Sequence, residues 1–198
     1  MKNDNPIYIV RGIPHSGKTP FVAALEDALY KSLHKTISTV DQDSFWWKGD
    51  ADCSPYEYTG RPFDATMQEI GYAFWHLCEY PESPLIAEGV FLNESDIKPF
   101  LDLAERFGRD VVVIRTEMNP KDEDYKKFPR PSNHTLPPPE DIERMRQSVW
   151  PIQDEIIVRD ETAASIIADL ARELAELQAK EQENIELVAA VETAAVDR

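Results

Sequence analysis

Residues Gly12-Ile13-Pro14-His15-Ser16-Gly17-Lys18-Thr19 satisfy the pattern G-x-x-x-x-G-K-[S/T] in full. They lie between a short apolar run, Ile7-Tyr8-Ile9-Val10, and a segment that places Phe21, Val22, Leu25 and Leu29 at helical spacing. A strand, a tight loop and a helix in that order leave few folds open. The glycines let the backbone turn sharply, so successive N–H groups point inward at phosphate oxygens. The positive end of the helix dipole adds to the attraction. Lys18 is expected to reach the β- and γ-phosphates, and the Thr19 hydroxyl is placed to ligate Mg²⁺. Gly12, Pro14, His15, Ser16, Gly17, Lys18 and Thr19 are therefore the candidate nucleotide-binding residues. The bland alternative, a glycine-rich turn with an incidental lysine, does not explain the flanking strand and helix. Pro20 is compatible with a first helical turn, where no N–H bond is needed.

Strand and helix patterns alternate along the rest of the chain, which predicts a parallel α/β sheet. Thr36–Val40 is β-branched and reads as a second strand. Residues 46–61 read as an irregular insertion rich in aromatic and turn residues. Pro62 starts a helix with apolar positions Phe63, Met67, Ile70, Phe74 and Leu77. Leu85-Ile86-Ala87 is a buried strand ending in Glu88-Gly89, and Ile97, Phe100, Leu101 and Ala104 mark a helix that stops at Gly108. Val111–Ile114 is the clearest central strand. Residues 116–139 are proline-rich and fit no period, which points to a lid. Ile142, Met145 and Val149 form a helical stripe, Asp154–Val158 the last strand, and Ile166, Ile167, Leu170, Leu174 and Leu177 the last helix. The expected organisation is one domain over residues 1–180, followed by an acidic tail over 181–198 that frays from helix. The expected fold is a three-layer α/β P-loop NTPase fold. It has a five-stranded parallel sheet with its first strand central, and a lid insertion.

Several carboxylates fall where open α/β sheets place their ligands, at the carboxyl ends of strands. Asp43 is the preferred acid–base group and Asp41 the alternate; a turn-solvating role for both is the competing reading. Glu88 occupies a position suited to holding Mg²⁺ through water, and equally suited to a turn or a helix cap. In the lid, Arg130 is the candidate for stabilising charge on a transferred phosphoryl group. Lys126 and Lys127 are weaker candidates, since a charge run on a loop is usually solvated. Arg144 and Arg146 lie off the apolar stripe of their helix and read as surface residues, with a turn of one of them toward the site as the alternative. Trp46, Trp47, Tyr56 and Tyr58 fit either a base-stacking platform or the small core of the insertion.

The net charge of −16, from 37 acidic and 21 basic residues, speaks against broad duplex binding, which needs a basic face. A local groove for one strand end or one nucleotide is compatible with it. No apolar run approaches the ~20 residues of a membrane span. The polar N-terminus predicts no signal peptide. Two cysteines, Cys53 and Cys78, without metal or redox spacing, fit a cytoplasmic protein.

With those pieces placed, Arg11 to Thr19 resembles the R-G-x-P-G-S-G-K-S/T loop of the polynucleotide-kinase-like P-loop kinase family. Asp43-Ser44-Phe45 is similar to the family's D-x-F/Y element, which carries the general base. Ile97–Phe100 with Ala104, Gly108 and Val111–Val113 resembles its K-P-Y/F helix and following strand. His134–Pro137 with Ile142, Met145 and Trp150 resembles its lid-and-helix pattern. The likeness spans residues 7–158. It departs at Glu88, where the family has aspartate, and at Trp46, where it has an arginine. At Pro131 the family has a lid arginine; Arg130 is one step away. The resemblance implies ATP-dependent, Mg²⁺-assisted transfer of a γ-phosphoryl group to a hydroxyl, with Lys18, Asp43 and Arg130 in catalysis and Thr19 and Glu88 at the metal. The acceptor is expected to be a polynucleotide 5′ end or a small nucleoside or metabolite. A non-catalytic ATP-binding switch and a kinase-like toxin acting on a nucleotide sugar are the alternatives.

Overall fold

In the computed structural model, residues 3–41, 47–48, 57–58, 62–119 and 138–196 are described. Strand β1 (Asn3–Arg11) leads into helix α1 (Lys18–Leu33) and strand β2 (Ser38–Asp41). Two-residue strands β3 (Trp47–Lys48) and β4 (Glu57–Tyr58) follow, then helix α2 (Pro62–Glu79), strand β5 (Leu85–Gly89) and helix α3 (Glu94–Phe107). Strand β6 (Arg109–Thr116), helix α4 (Pro139–Ser148), strand β7 (Ile156–Val158) and helix α5 (Ala163–Val196) complete the order. Five strands form one sheet in the order β2-β5-β1-β6-β7, every pairing parallel, so the first strand is central as expected. Within the insertion, β3 and β4 pair antiparallel, Trp47 opposite Tyr58.

Side chains alternate across a strand, and β1 distributes its residues accordingly. Tyr8 and Val10 pack with Phe21, Leu25 and Leu29 of α1 and Leu170 and Leu174 of α5. Ile7 and Ile9 pack on the other face with Ala73 and Leu77 of α2 and Ile97 and Phe100 of α3. The sheet is thus sandwiched between two helical layers, and the fold is the three-layer α/β arrangement read from the sequence. Among the described residues, no helix is long and apolar enough to cross a membrane.

Local chemistry sets the ends of these elements. Asn93 caps α3 by accepting the Ser95 amide, and Asp96 returns a bond to the Asn93 amide, a reciprocal capping box. Gly108 ends the same helix at φ +64°, in the left-handed region where glycine carries no penalty. Strand β7 begins only at Ile156, two residues later than expected, because Asp154 turns through φ +60°.

Two faces depart from the periodicity. On α2, Met67 is 55 % exposed and Phe74 36 % exposed, while Glu69, Ala73, His76 and Leu77 are buried. Apolar residues occupy more than one face of this helix, so a period alone does not select the one that docks. On α5, Leu177 is also on the solvent side, although Leu170 and Leu174 are buried. That helix runs on to Val196 and is tied to the start of β1 by Gln178 Nε2 donating to Asn5 Oδ1 at 2.7 Å.

Candidate active site

The loop after β1 is shaped by glycine at two positions. At Gly12, φ is +156°, and an added Cβ would collide with Ser16 Oγ and lie 2.7 Å from Thr116 Oγ1. Gly17 caps α1 at φ +87°, with Met118 Cβ 2.7 Å from where its own Cβ would stand. Between them the Ser16 amide donates to the Ile13 carbonyl at 3.1 Å, and His15 is also left-handed at φ +64°. Helix α1 then begins with no side-chain cap and no acidic residue in its first turn. Its leading N–H groups and positive dipole end face the loop without a competing carboxylate of its own. Pro20, third in the helix, removes an N–H that no intrahelical carbonyl would have used.

Strand β6 clasps this loop. Ser16 Oγ and Thr116 Oγ1 are hydrogen-bonded at 2.7 Å, and the Met118 amide donates to the Ser16 carbonyl at 3.0 Å. Lys18 Nζ lies back across the turn, donating to the Ile13 carbonyl at 3.0 Å. Next to it, Thr19 Oγ1 donates to Glu88 Oε1 at 2.7 Å, and Glu88 is buried. This brings together the two residues expected at the metal. Glu88 does not cap α3, whose cap is Asn93.

To one side of the loop lie β5 and β2. Asp41 ends β2 in register with Glu88 on β5, and Glu88 is in register with Val10 of β1. In-register residues of parallel strands project to the same face, so the two carboxylates stand side by side there. Asp43, Trp46, Lys126, Lys127, Arg130 and His134 lie outside the described residues.

On the other side of the loop, toward β6 and α4, is a cleft of about 560 Å³. Gly12–Ser16 form one wall, Arg115–Asn119 another, and Ile142, Arg146 and Val149 of α4 and its C-terminal end a third. Arg146 lines the cleft with Ile142 and Val149 at i, i+4 and i+7, in line with the alternative that one of the two arginines turns toward the site. It is nonetheless exposed and pairs with Glu143 at 2.6 Å. Arg144 is exposed too and pairs with Asp141 at 2.9 Å.

Beneath this cleft runs an ionic network that periodicity did not suggest. Arg11 and Arg115 are in register on β1 and β6, and the Glu155 carboxylate sits between them, 3.7 Å from Arg11 and 3.4 Å from Arg115. Arg11 is fully buried and donates to the Trp150 carbonyl at 2.8 Å. Burial pulls its guanidinium below the ordinary arginine value, and Glu155 opposes that shift. Arg115 also pairs with Glu117 at 3.0 Å, and Glu117 pairs with Arg159 at 3.2 Å. The available signal was position: Arg115, Thr116 and Glu117 close the carboxyl end of a central strand, where such sheets hold ligands.

No family model and no curated protein sequence matches this chain. Solved structures do. Kti12 of Chaetomium thermophilum, solved in complex with ADP-AlF3, is similar with a TM-score of 0.56 at 11 % identity, over 86 % of this chain and 99 % of that one. The APS kinase CysC of Mycobacterium tuberculosis, solved with AMPPNP and APS, gives 0.52 at 10 % identity, over 88 % and 97 %. A candidate kinase from Chloroflexus aurantiacus gives 0.55 at 19 % identity, over 85 % and 98 %. At such identities the likeness speaks for architecture, and it agrees with the strand order and the glycine-built loop: this chain has the three-layer α/β P-loop fold.

Proposed function

We propose that this protein is an ATP-dependent kinase that transfers the γ-phosphoryl group to a hydroxyl. The observation that carries the reading is the Thr19–Glu88 hydrogen bond at the open end of the glycine-built loop, next to Lys18. A hydroxyl and a buried carboxylate held together there suit a hydrated Mg²⁺, which supplies neutralisation of phosphate charge when bound. Gly12 and Gly17 let the loop close against Ser16, Thr116 and Met118, where a Cβ would collide.

The residues divide the work as follows. Gly12–Thr19 hold the phosphates through their amides, and Lys18 leaves the Ile13 carbonyl to reach the terminal groups. Asp43, with Asp41 as the alternate beside Glu88, orients the acceptor hydroxyl and takes its proton. The hydroxyl oxygen bonds to the γ-phosphorus as the bridging oxygen departs with ADP. Arg130 stabilises the charge that develops on the transferred group. The acceptor is a polynucleotide 5′ end, as the resemblance implies, or a small nucleoside or metabolite, which the net charge of −16 supports almost equally.

The test is transfer of labelled phosphate from ATP to oligonucleotides, nucleosides and cell extract by the wild type, Lys18→Ala and Asp43→Asn. A kinase loses about 10²–10⁴-fold in turnover with Asp43→Asn while keeping ATP affinity. ATP binding with no transfer to any acceptor would replace the kinase with a non-catalytic switch.

A further inference from the structure

The cleft on the β6 side of the phosphate loop contains a cation already engaged by a carboxylate. Arg115 is inward-facing, 17 % exposed, with its NH2 group 3.0 Å from Glu117 Oε1. Its Nε lies 3.4 Å from Glu155 Oε1 and makes no hydrogen bond. Arg115 and Glu117 line the same cleft as Gly12–Ser16. The strand end that carries them is bolted to the loop by the Ser16–Thr116 and Met118–Ser16 bonds. The guanidinium is thus fixed beside the phosphate cradle, not swinging on a lid.

Charge makes the pairing informative. Glu155 is buried between Arg11 and Arg115 and is needed where it is, since it is the carboxylate nearest the fully buried Arg11 and leaving that charge uncompensated would be costly. Glu117 is different: it is 38 % exposed, stands on the segment leaving β6 and is shared with Arg159, itself exposed. Partly exposed pairs of this kind are weak, and a polyphosphate offers Arg115 more charge and a bidentate match.

We infer that Arg115 is a phosphate ligand of this site and that Glu117 competes with the bound polyphosphate for it, so that nucleotide entry exchanges one Arg115 partner for another. The inference rests on the nucleotide-binding reading above and adds a residue and a device to it. Glu117 is a built-in competitor that lowers affinity.

The experiment is a double-mutant cycle in binding, read by titration calorimetry. Wild type, Glu117→Gln, Arg115→Ala and the double variant are titrated with Mg²⁺-ATP, inorganic tripolyphosphate and adenosine. Arg115→Ala is expected to weaken ATP and tripolyphosphate about tenfold, the scale of a lost charged hydrogen bond. Glu117→Gln is expected to tighten both by roughly two- to fivefold, the range a partly exposed ion pair supports. In the Arg115→Ala background the Glu117→Gln gain should vanish, and adenosine should bind all four alike. A gain that persists without Arg115 would reduce Glu117 to a general field effect and overturn the inference. So would a loss in Glu117→Gln, or parallel changes with adenosine. Should Arg115→Ala fail to fold, Arg115→Lys serves in its place: it keeps the charge, loses the fork and should retain only part of the Glu117→Gln gain. Polyphosphate binding that obeys the cycle without any transfer activity would count against the kinase and leave the exchange standing.

Discussion

Thr19 Oγ1 and Glu88 Oε1 are 2.7 Å apart, joining the first turn of α1 to the carboxyl end of β5 across 69 residues of sequence. Glu88→Gln keeps the shape and removes the charge. The expected outcome is that ATP affinity measured without Mg²⁺ is unchanged while the Mg²⁺-dependent gain falls by about tenfold or more. Titration at stepped Mg²⁺ concentrations checks this; an unchanged Mg²⁺ dependence would remove Glu88 from the metal.

Gly17→Ala puts a Cβ against Met118 at a residue with φ +87°. The substitution is predicted to destabilise the protein by about 1–3 kcal/mol and to abolish nucleotide binding, because the strained loop no longer presents its amides. Thermal denaturation with and without Mg²⁺-ATP separates the two effects.

Glu155→Gln leaves the buried Arg11 without its counter-charge and Arg115 with Glu117 alone. A loss of about 3 kcal/mol is expected, measurable by urea denaturation. Replacing the exposed partner in the Lys31–Asp27 pair, 2.6 Å apart, should cost well under 1 kcal/mol and serves as the comparison.

His76 is fully buried on α2, and burial first, then the Arg109 charge, lowers its pKa below the ordinary 6.5. The folded protein therefore resists a proton that the unfolded chain accepts. The sign follows: stability is unaffected by this group well above pH 6.5 and is lost as pH falls through and below it. His76→Gln should flatten the melting-temperature profile between about pH 7 and pH 5, a window set by the reference histidine value.

The sheet, the central place of β1, the glycine-built loop, the helix start at Pro62 and the helix stop at Gly108 were legible because each follows from local chemistry: period, backbone freedom or a missing N–H. The pairing of Thr19 with Glu88 was anticipated only as two separate candidates for one ion, since nothing local states that α1 meets β5 there. What the sequence hid depends on contacts between distant segments. Met67 and Phe74 fit an apolar stripe, yet α2 docks through Ala73 and Leu77 and takes Glu69 and His76 inside with them. Arg115 was not singled out in the sequence; only the fold, through β1 and the turn before β7, sets Arg11 and Glu155 beside it. Asp43 and Arg130 lie outside the described residues, and their roles stand as proposals.

The hydroxyls of Ser16 and Thr116 meet across 100 residues of chain. A ribosome has therefore delivered the entire glycine motif long before the strand that holds it in shape has emerged. Short nascent pieces carry the motif before the strand that clasps it, and its mould is complete only once β6 pairs beside β1.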